Sequence, residues 1–278
     1  MEVILASNAG ACYGVQRALD LAQEAARSSL TAQTLGPLIH NPQVVSDLSR
    51  EGVSVADRVE DVTAQTIIIR SHGVPPSVMK KACATGCKII DATCPYVIRA
   101  QRAARDLAQR GYHVIVVGER SHPEVEGLCA FAREGGADAL VATSPDELPD
   151  DLVAPIGVVV QTTQVHSNLQ AIIEAIRDRG IEPCVEDTIC SATGLRQEAA
   201  AELSKHVDAM VVVGGHNSAN TTHLFEICSA ITSRAYHIES LDELPSDAFM
   251  GCSVIGVTAG ASTPERQISA VVKRLRQY

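Results

Sequence analysis

Short, uninterrupted apolar runs alternate with amphipathic helical stretches along this whole chain of 278 residues. The runs TIIIR, HVIVVG, IGVVV and AMVVVGG show no alternation of apolar and polar residues, which is typical of strands buried on both faces. Strands that alternate with helices form parallel sheets covered by helices. The sequence therefore predicts an α/β fold with mainly parallel sheets.

The pattern also gives approximate positions for these elements. The predicted strands are 3–6, 66–70, 88–90, 114–118, 156–160, 209–213 and 253–258. The predicted helices are 16–26, 98–109, 168–179, 195–206 and 265–276.

Composition excludes several classes of protein. The formal net charge is −10, there is no Trp, and Phe and Tyr number only three and five, so a nucleic-acid partner is not expected. No apolar run approaches the ~20 residues that span a bilayer, and the N-terminus lacks a basic flank followed by an apolar stretch. We expect a cytoplasmic protein with no membrane partner.

Polar loops follow the carboxyl ends of the predicted strands, where ligands bind in α/β folds. None of these loops contains Lys, and the chain has no Gly-rich phosphate loop of the GxxxxGKS type. The loops read SNAGACYG, LIHNPQ, RSHGVPP, DATCPY, ERSHPEVEG, QTTQ, EDTICSATG, GGHNSANTT and AGASTPE.

Three of the nine cysteines share one context. Cys12, Cys94 and Cys190 each follow an extended segment and precede a helix with an early arginine, and they lie about one small domain apart. This spacing predicts three similar lobes, at 1–93, 94–189 and 190–278, that each bring one thiol to a common centre. Three thiolates can hold a [4Fe–4S] cluster with one open iron, although three buried thiols are an equal alternative.

The other six cysteines are expected to pack in the interior. One exception stays open, because Cys83 and Cys87 together with Cys94 could form a zinc site. The remaining members of this group are Cys129, Cys184, Cys228 and Cys252.

Three histidines, His40, His72 and His122, lie at strand-to-helix turns, which favours a shared anion site over three solvated side chains. Ser218, Asn220 and Ser262 are either helix caps or donors to the same anion, since both uses employ the free N–H groups of a helix N-terminus. In the capping interpretation, Ser262 and Glu265 form a capping box.

Glu124 is the one acid next to a histidine in these loops. We interpret it as a proton donor, with Thr162 and Thr163 as hydroxyl relays. The alternative is a capping box formed by Ser121 and Glu124.

Nine motifs in one order make the chain resemble the 4-hydroxy-3-methylbut-2-enyl diphosphate reductases, the LytB family. The match covers nearly all residues. The motifs are AGACYGV, GPLIHN, SHGV, DATCP, SHPEVEG, QTT, DTICSAT, NSAN and AGAS.

The resemblance implies a cloverleaf of three α/β domains around a central [4Fe–4S] cluster held by Cys12, Cys94 and Cys190. It implies reductive dehydroxylation of the substrate to isopentenyl and dimethylallyl diphosphate, the terminal step of the methylerythritol phosphate pathway, with electrons from ferredoxin or flavodoxin. Glu124, Thr162 and Thr163 would then supply protons. The diphosphate would meet His40, His72, His122, Ser218, Asn220 and Ser262.

Three positions depart from the family pattern. Ala219 stands where the family usually has a second serine, Ala11 where phenylalanine is common, and His216 where lysine is frequent. The first and last of these bear on affinity for the diphosphate, and His216 is the nearest side chain that could replace the missing hydroxyl.

Two other functions remain open from the sequence. One is an iron–sulfur sensor or electron carrier without turnover, which would need neither the acid nor the anion-type loops. The other is a hydro-lyase that removes water at an open iron without a change of redox state.

Overall fold

The computed structural model describes residues 1–28, 31–245 and 247–278. Within them the chain forms three sheets, each of four parallel strands, and α-helices join most consecutive strands, which confirms the predicted α/β class. The strands are β1 (Glu2–Leu5), β2 (Ala32–Leu35), β3 (Val53–Ala56), β4 (Thr66–Ile69), β5 (Lys88–Asp91), β6 (His113–Val117), β7 (Ala139–Ala142), β8 (Ile156–Val160), β9 (Cys184–Glu186), β10 (Ala209–Val213), β11 (Ala235–Ile238) and β12 (Val254–Ala259). The helices are α1 (Tyr13–Arg27), α2 (Pro42–Arg50), α3 (Pro76–Ala84), α4 (Pro95–Gln109), α5 (Pro123–Gly135), α6 (His166–Arg177), α7 (Ser191–Ser204), α8 (Ala219–Ile231) and α9 (Glu265–Leu275).

All three sheets have the same strand order. The orders are β3-β2-β4-β5, β7-β6-β8-β9 and β11-β10-β12-β1. In each sheet one helix lies between the first and second strands of the repeat, and a single 3-10 turn lies between the second and third. One helix follows the third strand and another follows the fourth. These turns are Val59–Asp61, Pro145–Glu147 and Leu241–Glu243. The described chain is therefore a threefold structural repeat.

The third repeat takes its last strand from the N-terminus, which corrects the lobe predicted at 1–93. β1 pairs in parallel with β12, so that Glu2 lies opposite Val254 and Leu5 opposite Val257. The chain after residue 190 supplies only three strands to this sheet, and β1 fills the edge that corresponds to β5 and β9. Its sequence shows that it is a strand but carries no signal for its partner.

The chain divides into two units. The first comprises Met1–Gln16, His40–Val44 and Ser191–Tyr278 and contains the sheet with β1. The second comprises Arg17–Ile39 and Val45–Cys190 and contains the other two sheets.

In the first unit, the sheet is buried on both faces. Val211 and Val213 pack with Val271 of α9, while Met210 and Val212 pack with residues of α7 and α8 on the other face. In the second unit, alternate residues of β6 and β8 likewise face two separate clusters, one against α6 and the other against α4 and α5. Burial on both faces explains why these strands read as unbroken apolar runs.

Helix α4 shows how the sequence sets an element that carries a candidate residue. Pro95 occupies the first helical position, where its missing N–H has no intrahelical partner to lose. Val97, Ala100, Ala104 and Leu107 then form the buried stripe that packs on the sheet. The helix therefore begins directly after Cys94, which fixes that residue at the helix N-terminus.

In the described residues, no helix has the length and apolar character required to cross a membrane.

Candidate active site

The residues proposed from the sequence for the cluster, the diphosphate and proton supply lie at the carboxyl end of a parallel strand or at the start of the helix that follows. Three classes of equivalent loop contain them. Loops after β2, β6 and β10 carry His40, His122, Glu124, Ser218 and Asn220. Loops after β4, β8 and β12 carry His72, Thr162, Thr163 and Ser262. Loops after β5, β9 and β1 carry Cys94, Cys190 and Cys12.

The three cysteines are held in the same way. The backbone N–H of Cys94 donates to the carbonyl of Ser71 at 2.9 Å, and that of Cys190 to the carbonyl of Thr162 at 3.0 Å. The N–H of Cys12 donates to the carbonyl of Ala261 at 3.1 Å. Each acceptor lies two residues beyond the end of the neighbouring strand. Each thiol is half-buried and directly precedes a helix.

Two of the cysteine loops also close with the same turn. The carboxylate of Asp91 accepts the N–H of Thr93 at 2.9 Å, and that of Asp187 accepts the N–H of Ile189 at 3.0 Å. An aspartate that bonds the backbone two residues further on fixes a tight turn. The shared DxxC pattern in the sequence therefore has a structural cause.

Glu124 is buried, with 1 % of its surface exposed. Its Oε1 accepts the backbone N–H of Thr162 at 2.7 Å, and its Oε2 accepts the hydroxyl of the same residue at 2.9 Å. Burial raises the pKa of Glu124 to about 7, against the lowering effect of the two hydrogen bonds from Thr162. A carboxyl group with this pKa can both hold and release a proton near neutral pH.

This geometry excludes the capping box between Ser121 and Glu124. His122 is the residue before α5, and its Nδ1 accepts the backbone N–H of Glu124 at 3.1 Å. The carboxylate is turned away from the helix end toward Thr162. Because Nδ1 accepts this hydrogen bond, the neutral ring carries its proton on Nε2 and presents a donor there.

Thr163 has a different set of contacts. Its hydroxyl accepts the side-chain N–H of Gln161 at 3.0 Å, and the same Nε2 donates to Oε2 of Glu119 at 3.0 Å. The hydroxyl that contacts Glu124 belongs to Thr162, so the two threonines predicted as relays are not equivalent.

In the second unit, His72 lies beside His122. The ring centroids are 5.4 Å apart and the rings meet edge to face at 85°. Two of the candidate histidines thus lie side by side.

In the first unit, Ser262 contacts the loop of His40. The Ser262 hydroxyl donates to the carbonyl of His40 at 3.0 Å, and the Asn41 side chain donates to the carbonyl of Ser262 at 3.0 Å. Helix α9 begins at Glu265, and no side chain caps its N-terminus. The capping box predicted for Ser262 and Glu265 is therefore wrong, since the serine hydroxyl is used between loops.

Asn41 is a residue that the sequence analysis missed. It is buried, accepts the N–H of Val44 at 3.1 Å and donates to Gln267 at 3.1 Å. The only available signal was its position next to His40 in the motif IHN, because its partners lie more than 200 residues away in sequence.

Ser218 and Asn220 flank the start of α8, and both are buried. Ser218 occupies the capping position but makes no capping hydrogen bond through its side chain. Neither Oδ1 nor Nδ2 of Asn220 has a hydrogen-bond partner among the described residues. A buried amide without partners is costly, which is the state expected of a group that awaits a ligand.

His216 is engaged elsewhere. Its Nε2 lies 2.7 Å from the carboxylate of Glu243, and its backbone N–H donates to Glu239 at 3.0 Å. The interpretation of His216 as a replacement for the hydroxyl missing at Ala219 is therefore wrong, because its ring pairs with an acid.

The alternative zinc site is also excluded. Cys83 is exposed on α3, whereas the Cys87 thiol donates to the carbonyl of Ala64 at 3.4 Å and packs in a hydrophobic cluster. Among the described residues, no metal-binding group of three ligands includes either thiol.

Comparison with known proteins identifies the family. The family model of the LytB protein matches residues 3–276, nearly the whole chain. The chain belongs to the LytB family. A relative from Trichlorobacter lovleyi, named 4-hydroxy-3-methylbut-2-enyl diphosphate reductase, is 46% identical over 278 residues, with 100% of this chain and 98% of that protein covered. A relative of the same name from Geobacter sulfurreducens is 42% identical over 278 residues, with the same coverage.

Two solved structures of LytB-family reductases resemble this chain. One, titled as the terminal enzyme of the non-mevalonate pathway, is 39% identical with a TM-score of 0.72, and the match covers 100% of both chains. The other, from Plasmodium falciparum, is 26% identical with a TM-score of 0.91 and covers 99% of this chain and 87% of that one. The fold of this LytB-family chain is thus that of known reductases.

Proposed function

We propose that this protein reduces 4-hydroxy-3-methylbut-2-enyl diphosphate to isopentenyl diphosphate and dimethylallyl diphosphate. The reaction consumes two electrons and two protons and releases the substrate hydroxyl as water. Full-length relatives named as this reductase support the assignment. The observation within the chain that carries it is the buried Glu124, whose carboxyl group bonds Thr162 and has a pKa of about 7.

Cys12, Cys94 and Cys190 are the residues that would hold a [4Fe–4S] cluster. The donor set fits, because all three are half-buried thiols outside any disulfide, directly precede helices and occupy equivalent loops of three equivalent sheets. Such a cluster would supply the electrons and an iron without a protein ligand, where the substrate hydroxyl is polarised.

The diphosphate would be bound by neutral donors rather than by lysine. Asn220 offers a buried amide without protein partners, and His122 offers its Nε2 proton because Nδ1 is already occupied. His40, His72, Ser218 and Ser262 complete the proposed set, each from an equivalent strand-to-helix turn. Helix N-termini add partial positive charge at these turns.

Glu124 would hold the proton that the leaving hydroxyl takes. Its burial keeps the neutral acid populated near pH 7, and the Thr162 hydroxyl lies at hydrogen-bond distance to pass a proton on. Thr163 would be the second hydroxyl of this relay, and its observed partner is Gln161.

We further propose that ferredoxin or flavodoxin delivers the electrons and that the protein works in the cytoplasm. Free cysteines throughout the chain support a reducing compartment.

The two alternative functions lack this support. A sensor or electron carrier needs no buried acid at a threonine relay, and a hydro-lyase needs no electron donor. Anaerobic assays of the iron-loaded protein with the substrate separate all three. Products that form only when a chemical reductant is present support the reductase. Product formation without reductant would indicate a hydro-lyase, and no turnover with reductant would indicate a sensor.

A further inference from the structure

Three arginines make hydrogen bonds to the backbone of the cysteine loops. Nη1 of Arg17 donates to the carbonyl of Thr93 at 3.3 Å, and Nη2 to that of Asp91 at 3.3 Å. Arg99 donates from Nη2 to the carbonyl of Asp187. Hydrogen bonds from a charged guanidinium are stronger than those between neutral groups.

Arg196 makes the third contact of this kind. Its Nη2 donates to the carbonyl of Gly10 at 2.9 Å, and its Nη1 to the carbonyl of Ala192 at 3.2 Å. Only 2 % of its surface is exposed, so a full positive charge is buried beside the loop that ends at Cys12. Burying a charge is expensive unless it is well bonded.

The three contacts follow one rule in the sequence. Each arginine lies five or six residues after one cysteine, on the helix that this cysteine precedes, and its acceptor carbonyl lies in the loop before another cysteine. Arg17 follows Cys12 and bonds the Cys94 loop. Arg99 follows Cys94 and bonds the Cys190 loop, and Arg196 follows Cys190 and bonds the Cys12 loop. Each cysteine loop thus receives a hydrogen bond from an arginine on the helix that follows another cysteine.

The acceptors are backbone carbonyls, although acids are available. The carboxylates of Asp91 and Asp187 accept the N–H groups of Thr93 and Ile189, which close the turns. Arg17 and Arg99 bond backbone carbonyls of the same two turns. Each loop is thus held by an arginine that bonds a carbonyl one to three residues before its thiol, and the Cys94 and Cys190 loops are also closed by their own aspartate turns.

We propose that Arg17, Arg99 and Arg196 are positioning residues that orient the three cysteine loops and place one positive charge beside each proposed cluster ligand. The proposal rests on the proposed function, because it assumes that Cys12, Cys94 and Cys190 hold the cluster. Positive charge near an iron–sulfur cluster favours the reduced, more negative state, so these residues also raise its reduction potential.

The test uses Arg17→Gln, Arg99→Gln and Arg196→Gln, each paired with the matching lysine variant. Arg102→Gln is the control, because Arg102 is exposed on α4 one turn from Arg99. Hydrogen exchange of the metal-free protein, measured by mass spectrometry, gives the first readout. We expect exchange at least about tenfold faster in the loop bonded by the replaced arginine, since one charged hydrogen bond is lost.

The pattern of hydrogen exchange across the three cysteine loops tests the positioning role. Arg17→Gln should affect the peptide that contains Asp91–Cys94, Arg99→Gln the one that contains Cys190, and Arg196→Gln the one that contains Cys12. Equal exchange in all loops, or no difference from Arg102→Gln, would overturn the proposal. If Arg196→Gln does not fold, Arg196→Lys and the two variants of the exposed Arg99 test the same positioning role.

The second readout is the midpoint potential of the iron-loaded protein. The glutamine variants should lower it, whereas the lysine variants, which keep the charge, should restore it. A potential that is unchanged in every glutamine variant would overturn the electrostatic part. If the wild-type protein binds no iron, the proposed function fails while the exchange pattern still tests the positioning role.

Discussion

Both carboxylate oxygens of Glu124 are bonded to a single residue, Thr162, through its backbone N–H at 2.7 Å and its hydroxyl at 2.9 Å. One residue therefore sets both the orientation of the acid and a path for its proton. The carbonyl of Thr162 also accepts the N–H of Cys190, so the same residue joins the acid to one of the cysteine loops.

Glu124→Gln should lower kcat by about 10²-fold or more, the usual contribution of a general acid. Glutamine keeps the shape of the side chain and can bond Thr162 through its oxygen and its amide, but it holds no acidic proton. Steady-state kinetics with a chemical reductant measure the loss. Iron content and thermal unfolding serve as controls, and near-normal turnover would remove Glu124 from the mechanism.

The same variant should change how stability depends on pH. The folded pKa of Glu124, about 7, lies above its ordinary value of 4.5. Between these values the folded state binds more protons than the unfolded state, so the free energy of unfolding falls as pH rises through this range. Glu124→Gln lacks this loss, and its stability relative to the wild-type protein should increase from pH 5 to pH 8. Urea unfolding of both proteins at pH 5 and pH 8 measures this difference. The same change in the free energy of unfolding with pH in both proteins would contradict the burial of a titrating acid.

The two threonines should differ in effect. Thr162→Val removes the hydroxyl that contacts Glu124 and keeps the backbone N–H bond, so we expect kcat to fall at least about tenfold. Thr163→Val removes the bond from Gln161, which does not involve Glu124, and should have a smaller effect. Parallel kinetic assays of both variants decide, and a larger loss for Thr163→Val would assign the relay to that residue.

Affinity for the diphosphate is tested at α8. Ala219→Ser adds a hydroxyl beside Asn220. We expect it to lower KM by less than about tenfold, because a hydrogen bond to a charged group is worth about 1.5–3 kcal/mol and the new hydroxyl replaces a water or a backbone N–H that already bonds the diphosphate. His216→Ala should leave KM unchanged, since its ring pairs with Glu243. A raised KM in His216→Ala would show that the ring leaves this acid when substrate binds.

The sequence predicted five of the six strands that lie inside the sheets, all but β2. All seven predicted strands and all five predicted helices are present, with ends shifted by up to four residues. The strands that it did not predict have only three or four residues each, and several lie at sheet edges, where one side has no paired strand and the apolar run is short. They are β2, β3, β7, β9 and β11.

Relationships between distant residues were harder to predict. The loops that carry candidate residues could be found because polar residues follow buried strands, but the pairing of β1 with β12 and the contacts of Asn41 depend on tertiary structure. Capping was predicted for Ser262 from local pattern, and a partner more than 200 residues away, His40, takes its hydroxyl instead. Local sequence does not encode such competition.

The central claim is that three equivalent loops supply the ligands of one iron–sulfur cluster. Its most direct test is an anaerobic count of iron and sulfide, with a visible spectrum, on the reconstituted wild-type protein and on cysteine-to-serine variants. We predict about four iron and four sulfide per chain, the content of one cubane cluster, with a loss in Cys12→Ser, Cys94→Ser and Cys190→Ser. Cys83→Ser and Cys87→Ser should keep the wild-type content. A wild-type chain without iron, or a loss in Cys83→Ser as large as in Cys94→Ser, would contradict the account.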